Sequence, residues 1–213
     1  MANNIKLTRI DDSNIGDHSY LVADDECYFL LEYTSGKGYS YGKANSLISN
    51  LKKKPSRSSA AELRYKSRAV DECAIHFRRS INLDWLAEAT LVPVPPSKTE
   101  SHPDYDNRIT RVCKGIATDL DVRELVIQTS SLTAAHEGLR HTVEDLLNNY
   151  EINEKLASPT PKKIAIFDDM LTAGAHYRAM CSILNQRFPG VRTVGFFAAR
   201  RIFPNPFDEF DDV

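Results

Sequence analysis

Residues Lys162 to Met180, KKIAIFDDMLTAGAHYRAM, constrain this chain more than any other stretch. Ile164 to Phe167 are apolar without interruption, the pattern of a strand buried on both faces, and the run stops at the carboxylate pair Asp168 and Asp169. A turn over Met170 to Gly174 then leads into a helix. Gly174 permits backbone geometry that a side chain would forbid, so consecutive N–H groups can converge at the positive end of that helix. Such a cradle holds an anion. Two carboxylates one turn earlier would repel a bare phosphate, so they must serve another part of the ligand. A sugar phosphate meets both conditions: its phosphate lies in the Thr172 to His176 loop, while the carboxylates hold ribose hydroxyls or a hard metal ion.

A strand ending in two acids also describes Walker B strands and receiver-domain acidic pockets. No G-x-x-x-x-G-K-[ST] occurs in the chain, and those pockets do not need Thr-x-Gly directly after the acids. The pair could also be a plain strand end with Asp169 favouring a turn. The segment IAIFDDMLTAGAH resembles the 13-residue motif with which type I phosphoribosyltransferases bind PRPP (5-phosphoribosyl 1-diphosphate). The resemblance implies that Asp168 and Asp169 are the catalytic acids at the ribose. It implies that Thr172, Ala173, Gly174, Ala175 and His176 are the phosphate loop, with His176 where the family usually has Ser or Thr.

A chain of 213 residues is one domain of ordinary size, or a core with a small appendage, and can bury a substantial core. A formal charge of −2 offers no global reason to expect nucleic acid or a membrane surface as partner. No apolar run approaches a membrane span, and the first residues, MANNIKLTRIDD, carry no signal-peptide core. Cys27, Cys73, Cys113 and Cys181 show no C-x-x-C spacing, which suits free thiols in a reducing cytoplasm.

Residues 1–57 read as a β-rich appendage and basic linker, and 58–213 as the main domain with an acidic tail. His18 to Val22 and Cys27 to Tyr33 are predicted strands of a hairpin turning at Asp24-Asp25. Lys52 to Lys54 with the following Pro55 to Ser59 read as a basic, flexible junction. The appendage is the expected surface for a homodimer or a partner protein. Ser58 or Ser59 caps a predicted helix to about Ser80, with Leu63, Val70, Ala74 and Phe77 near helical spacing. His76 beside that face reads as a packing histidine.

Thr90 to Val94 is the next buried strand, closed by Pro95-Pro96-Ser97-Lys98. In type I phosphoribosyltransferases the loop at this place binds the pyrophosphate of PRPP, so the resemblance assigns Pro95, Pro96, Ser97 and Lys98 that role. A cis bond at Pro95-Pro96 would be chemically easy, and a trans turn fits as well. The segment VPVPPSKTESHPDYDNRITRVCKGIA is similar to the ComF group of phosphoribosyltransferase-like proteins. Tyr105 keeps that group's aromatic position in a loop whose usual arginine and glycine are gone. Ile109, Val112, Cys113 and Ile116 form the apolar face of a crossover helix, and Glu124 to Gln128 gives the next strand.

Gln128 to Pro161 is a long polar insertion, in the region where type I enzymes carry a mobile loop over the reaction centre. Arg140 and His141 are the candidates to reach the diphosphate, although Arg140 could equally pair with Glu137 or Glu144 on its own helix. Met180, Ile183, Leu184 and Phe188 face inward on the helix after the acidic pair, and Val191 to Ala199 is the last strand, with Arg200-Arg201 at the rim. The tail FPNPFDEFDDV could pack over a base pocket or stay disordered.

This order predicts an α/β fold, a doubly wound, mainly parallel sheet of the type I phosphoribosyltransferase kind, with ligands at the carboxyl ends of the strands. The implied activity is transfer of 5-phosphoribosyl from PRPP to a nitrogenous acceptor with release of pyrophosphate. Mg²⁺ is the implied cofactor, held through pyrophosphate and ribose, with Asp168 or Asp169 acting indirectly. PRPP or a nucleoside monophosphate is the implied ligand. The rival is a nucleotide-sensing or accessory protein of DNA uptake or phage defence that retains the pocket. Direct DNA binding through Lys43 and Lys52 to Lys54 is a weaker third, which would show steep salt dependence.

Overall fold

The computed structural model describes residues 5–131 and 141–204. Its elements, in chain order, begin with β1 (Thr8–Arg9), β2 (Cys27–Thr34), α1 (Lys43–Leu51), α2 (Ala60–Ser80), α3 (Leu83–Ala87) and β3 (Thr90–Pro93). There follow α4 (Arg108–Ile116), β4 (Asp121–Val122), β5 (Val126–Gln128), α5 (Val143–Leu147) and β6 (Tyr150–Ile152). The last are β7 (Lys163–Leu171), α6 (Ala175–Arg187) and β8 (Arg192–Ile202). The central sheet has the order β1-β2-β8-β7-β3-β4, antiparallel only at β1.

The apolar run of β7 is buried on both faces because strand residues alternate. Ala165 and Phe167 join a core with Leu47 and Ile48 of α1, Val70 and Phe77 of α2, and Val112 and Ile116 of α4. Ile164 and Ile166 join the opposite core with Leu146 of α5 and Met180 and Leu184 of α6. The outcome is an α/β architecture with helices on both sides of a mostly parallel sheet. Ser59 caps α2 in a reciprocal capping box with Glu62, and the four expected apolar residues of α4 are all buried. Among the described residues no helix is long and apolar enough to cross a membrane.

Several expectations are corrected. The N-terminal strand does not stand apart: β2 pairs in parallel with β8 from Cys27 opposite Gly195 to Thr34 opposite Ile202. Its hairpin partner is β1, while His18 to Val22 is not a strand. The basic junction is held in place, since Lys52 pairs with Asp169 at 3.1 Å and Lys53 with Glu62 at 3.6 Å. Glu124 to Gln128 does not join the central sheet. The place beside β3 is taken by β4, and β5 pairs with β6 in a separate antiparallel sheet. Of the two isomers the sequence left open at Pro95-Pro96, the structure has trans. Arg200, expected at the rim, is bound to Glu32 and Asp17 over the ring of Phe29 and is not among the residues lining the cavity of the acidic pair. Residues 205–213 of the tail lie outside the described residues.

Candidate functional site

Strand register brings the two expected loops side by side. Pro93, the last residue of β3, pairs with Phe167, and the N–H of Val94 donates to the Phe167 carbonyl at 2.9 Å. The chain leaving β3 therefore emerges next to Asp168. Pro95, Pro96 and Ser97 line a cavity of about 220 Å³ together with Asp168, Asp169, Thr172 and His176.

The acids lie inside β7 rather than at its end, because β8 continues to pair beyond them at Met170 opposite Ala199 and Leu171 opposite Arg200. Alternation along the strand gives the two acids opposite surroundings. Asp169 shares a face with Phe167 and so meets the groups that α1 and α4 bring to that side. Its Oδ2 accepts from Arg108 Nε at 2.8 Å and Nη2 at 2.5 Å, and its Oδ1 lies 3.1 Å from Lys52 Nζ. Asp168 shares a face with Ile166. Its Oδ1 accepts from the Asp169 N–H at 2.7 Å, and among the described residues it forms no salt bridge.

Their acidities separate accordingly. Burial and the neighbouring Asp169 charge raise Asp168 well above the usual carboxylate range. Burial alone would raise Asp169 too, but Lys52 and Arg108 outweigh it and hold that carboxyl below the range. The network continues outward: Arg108 Nη1 donates to Asp106 Oδ2 at 2.8 Å, and Lys66 Nζ donates to the same oxygen at 2.6 Å.

The turn after β7 runs over Thr172 to Gly174, and Gly174 caps α6 with φ of +92°, a left-handed conformation suited to glycine. The opening of α6 has no side-chain cap on its N–H groups. Residues outside the stretch support this turn. His18 Nδ1 donates to the Thr172 carbonyl at 2.5 Å and the Tyr20 N–H to the Ala173 carbonyl at 2.9 Å. A Cβ on Gly174 would lie 3.1 Å from Leu21 Cδ2. In the first turn of α6, Tyr150 and His176 share a hydrogen bond of 2.7 Å at Nδ1. Burial lowers His176 to about 4, with His141 a lesser contributor, so the ring is neutral at pH 7. With the phenol donating, Nε2 carries the ring proton.

The other expected residues are distributed unevenly. Lys98 and Tyr105 line a neighbouring cavity of about 490 Å³, together with Glu124 and Gln128 and the shared wall Val94, Pro95 and Pro96. Arg140 lies outside the described residues. His76 lies 3.3 Å from Glu72 and takes no part in the site. Reading the sequence missed Arg108, Asp106, Lys66, His18 and Tyr150, and placed Lys52 in a linker. The one signal for Arg108 was its place at the start of the crossover helix after a strand-end loop. Among the described residues no group of three or more His, Cys, Asp or Glu is arranged to hold a metal ion. No protein-family model matches the chain, and no curated protein matches it.

Proposed function

We propose that the chain is a phosphoribosyltransferase-like protein of the cytoplasm that binds PRPP at the carboxyl ends of β3 and β7. The observation that carries this reading is the convergence on one cavity of Asp168, the Pro95 to Ser97 loop, and Thr172 and His176 from either side of the glycine at the start of α6. Its parts match the parts of a sugar bearing phosphate at one end and diphosphate at the other. The turn and the start of α6 take the 5′-phosphate, with N–H groups aimed at the anion and neutral His176 donating from Nε2. Asp168, held by the Asp169 N–H, accepts from the ribose hydroxyls.

Transfer breaks the bond from C1 to the diphosphate oxygen and forms one from C1 to a nitrogen of the acceptor, which loses its proton. The developing positive charge on the sugar is favoured by a carboxylate beneath it, and the chain's contribution is positioning and charge neutralisation. The free thiols Cys27, Cys73, Cys113 and Cys181 suit a reducing compartment. The donor set fits Mg²⁺ in one way. With one acid unpaired with a cation among the described residues, the ion would be carried by diphosphate and ribose oxygens, and Asp168 would approach it through water. Mg²⁺ bound in this manner supplies charge neutralisation of the leaving pyrophosphate.

A nucleotide-sensing or accessory role is the second reading. The observation favouring it is that Asp169 is wholly engaged by Lys52 and Arg108, which leaves the cavity one acid with which to work. Calorimetric titration with PRPP plus Mg²⁺, followed by screening of nitrogenous bases for pyrophosphate release, separates the two. Saturable binding with release supports transfer, binding without release supports sensing, and no binding of PRPP or AMP sinks both.

A further inference from the structure

We propose that Lys52 and Arg108, and not Lys98, form the station that recognises the diphosphate of the ligand. This inference rests on the phosphoribosyl reading above. A doubly charged leaving group needs cations at the cavity wall, and the expected one, Lys98, lines the neighbouring cavity instead. The cations that do line the cavity of the acidic pair are Lys52 and Arg108.

Donor arithmetic separates recognition from structure within the charge network. Lys66 has three N–H groups and three acceptors, the carbonyls of Leu51 and Lys53 and the Asp106 carboxylate, and its side chain is 5% exposed. It is saturated and serves the packing of α1 against α2. Arg108 uses three of five N–H groups on Asp106 and Asp169, which leaves two. Lys52 uses one of three on Asp169, which leaves two more on a side chain 39% exposed. Among the described residues, four N–H groups of these two lining residues thus remain without an acceptor.

Asp169 is then a positioning residue. It orients both cations from one side while they meet the diphosphate from the other, and it keeps them fixed when the site is empty. The same wall holds the start of α4, where Asn107 makes no side-chain cap and Asn107 to Thr110 line the cavity, so the helix end adds to the positive field. The ligand class that uses both ends of this cavity is a pentose carrying a phosphate and a diphosphate. A nucleoside monophosphate would fill one end and leave the Lys52 and Arg108 donors to water.

The test is calorimetric titration of the full chain with PRPP and with ribose 5-phosphate, both with Mg²⁺, using the wild type, Lys52→Gln, Arg108→Lys and Lys98→Gln. Circular dichroism melts confirm that each variant folds. Lys52→Gln is expected to weaken PRPP about tenfold and ribose 5-phosphate by less than about twofold, since a charge-assisted bond to the diphosphate alone is lost. Arg108→Lys, which keeps the charge but not the planar fork, should behave similarly, and Lys98→Gln should leave both ligands unchanged. Equal weakening of both ligands by Lys52→Gln, or loss of PRPP in Lys98→Gln with Lys52→Gln unaffected, overturns this inference alone. A wild type that binds neither ligand overturns the phosphoribosyl reading itself.

Discussion

His18 Nδ1 lies 2.5 Å from the carbonyl oxygen of Thr172, a contact that spans 154 residues of chain. A carbonyl only accepts, so Nδ1 carries the proton. The buried Nε2 makes no hydrogen bond among the described residues. With the Tyr20 and Leu21 contacts, this bond makes the segment before β2 the outer wall of the turn that the proposed phosphate occupies.

Residues 58–213 expressed alone are therefore expected not to fold. Removing 1–57 strips β2 from β8, takes Leu30, Leu47, Ile48 and Leu51 out of the core and so uncovers the apolar residues they pack with, such as Val70, Phe77 and Phe167, and removes the partners of the Thr172 and Ala173 carbonyls. Amide exchange and proton NMR dispersion of the truncated chain provide the measurement. A cooperatively folded fragment that still binds PRPP would restore the two-unit organisation.

Gly174→Ala is expected to cost roughly 1–2 kcal/mol, because φ of +92° strains any L side chain and the new Cβ meets Leu21. Adding Leu21→Ala should relieve the contact but not the strain. Urea unfolding of the single and double variants reads the difference, and full recovery in the double variant would show that backbone conformation matters little here.

The two adjacent acids should respond in opposite ways to neutralisation. Asp169→Asn leaves Arg108 and Lys52 without their carboxylate and should destabilise the fold by about 3 kcal/mol. Asp168→Asn removes a carboxyl whose charged form the fold disfavours. The wild type loses stability as pH rises from the usual carboxylate range through the raised value of Asp168, and the variant lacks that loss. It should match or exceed the wild type at pH 8 while binding PRPP at least tenfold more weakly. Equal destabilisation by both substitutions would remove the distinction drawn between them.

Acid should weaken the fold through His176. Its pKa falls from 6.5 to about 4 on folding, because burial disfavours the charged ring. The unfolded chain then binds the extra proton between these values, so the contribution is complete above pH 6.5 and is lost as pH falls towards 4, by roughly 3 kcal/mol in all. Burial lowers His18 in the same direction. Melting curves across this window for the wild type and His176→Gln should differ in slope by about one proton. Parallel curves would mean that His176 titrates normally in the folded state.

Much of this site was legible before any coordinates. The uninterrupted run Ile164 to Phe167 has one economical use, a strand covered on both faces, and the structure places it between β8 and β3 at the middle of the sheet. Gly174 was marked as a special backbone position and has a positive φ. That the Pro95 loop and the Thr172 turn both leave the carboxyl ends of parallel strands was expected from element order, and the pairing of β3 with β7 then sets them side by side. These are local signals, set by period and by residue type.

Tertiary structure decided what each side chain meets. Asp168 and Asp169 are identical residues one position apart, and only the helices packed on the two faces of β7 make one an anchor for cations and leave the other, among the described residues, without a salt bridge. The run at Lys52 looked like solvated linker because charge patterning records no partner, and its partner lies 117 residues further on, inside β7. β2 joined the parallel sheet, which a strand near the start of a chain does not announce. Pairing over such distances depends on which edge of the sheet is vacant once the core has assembled, and that is a property of the packed molecule.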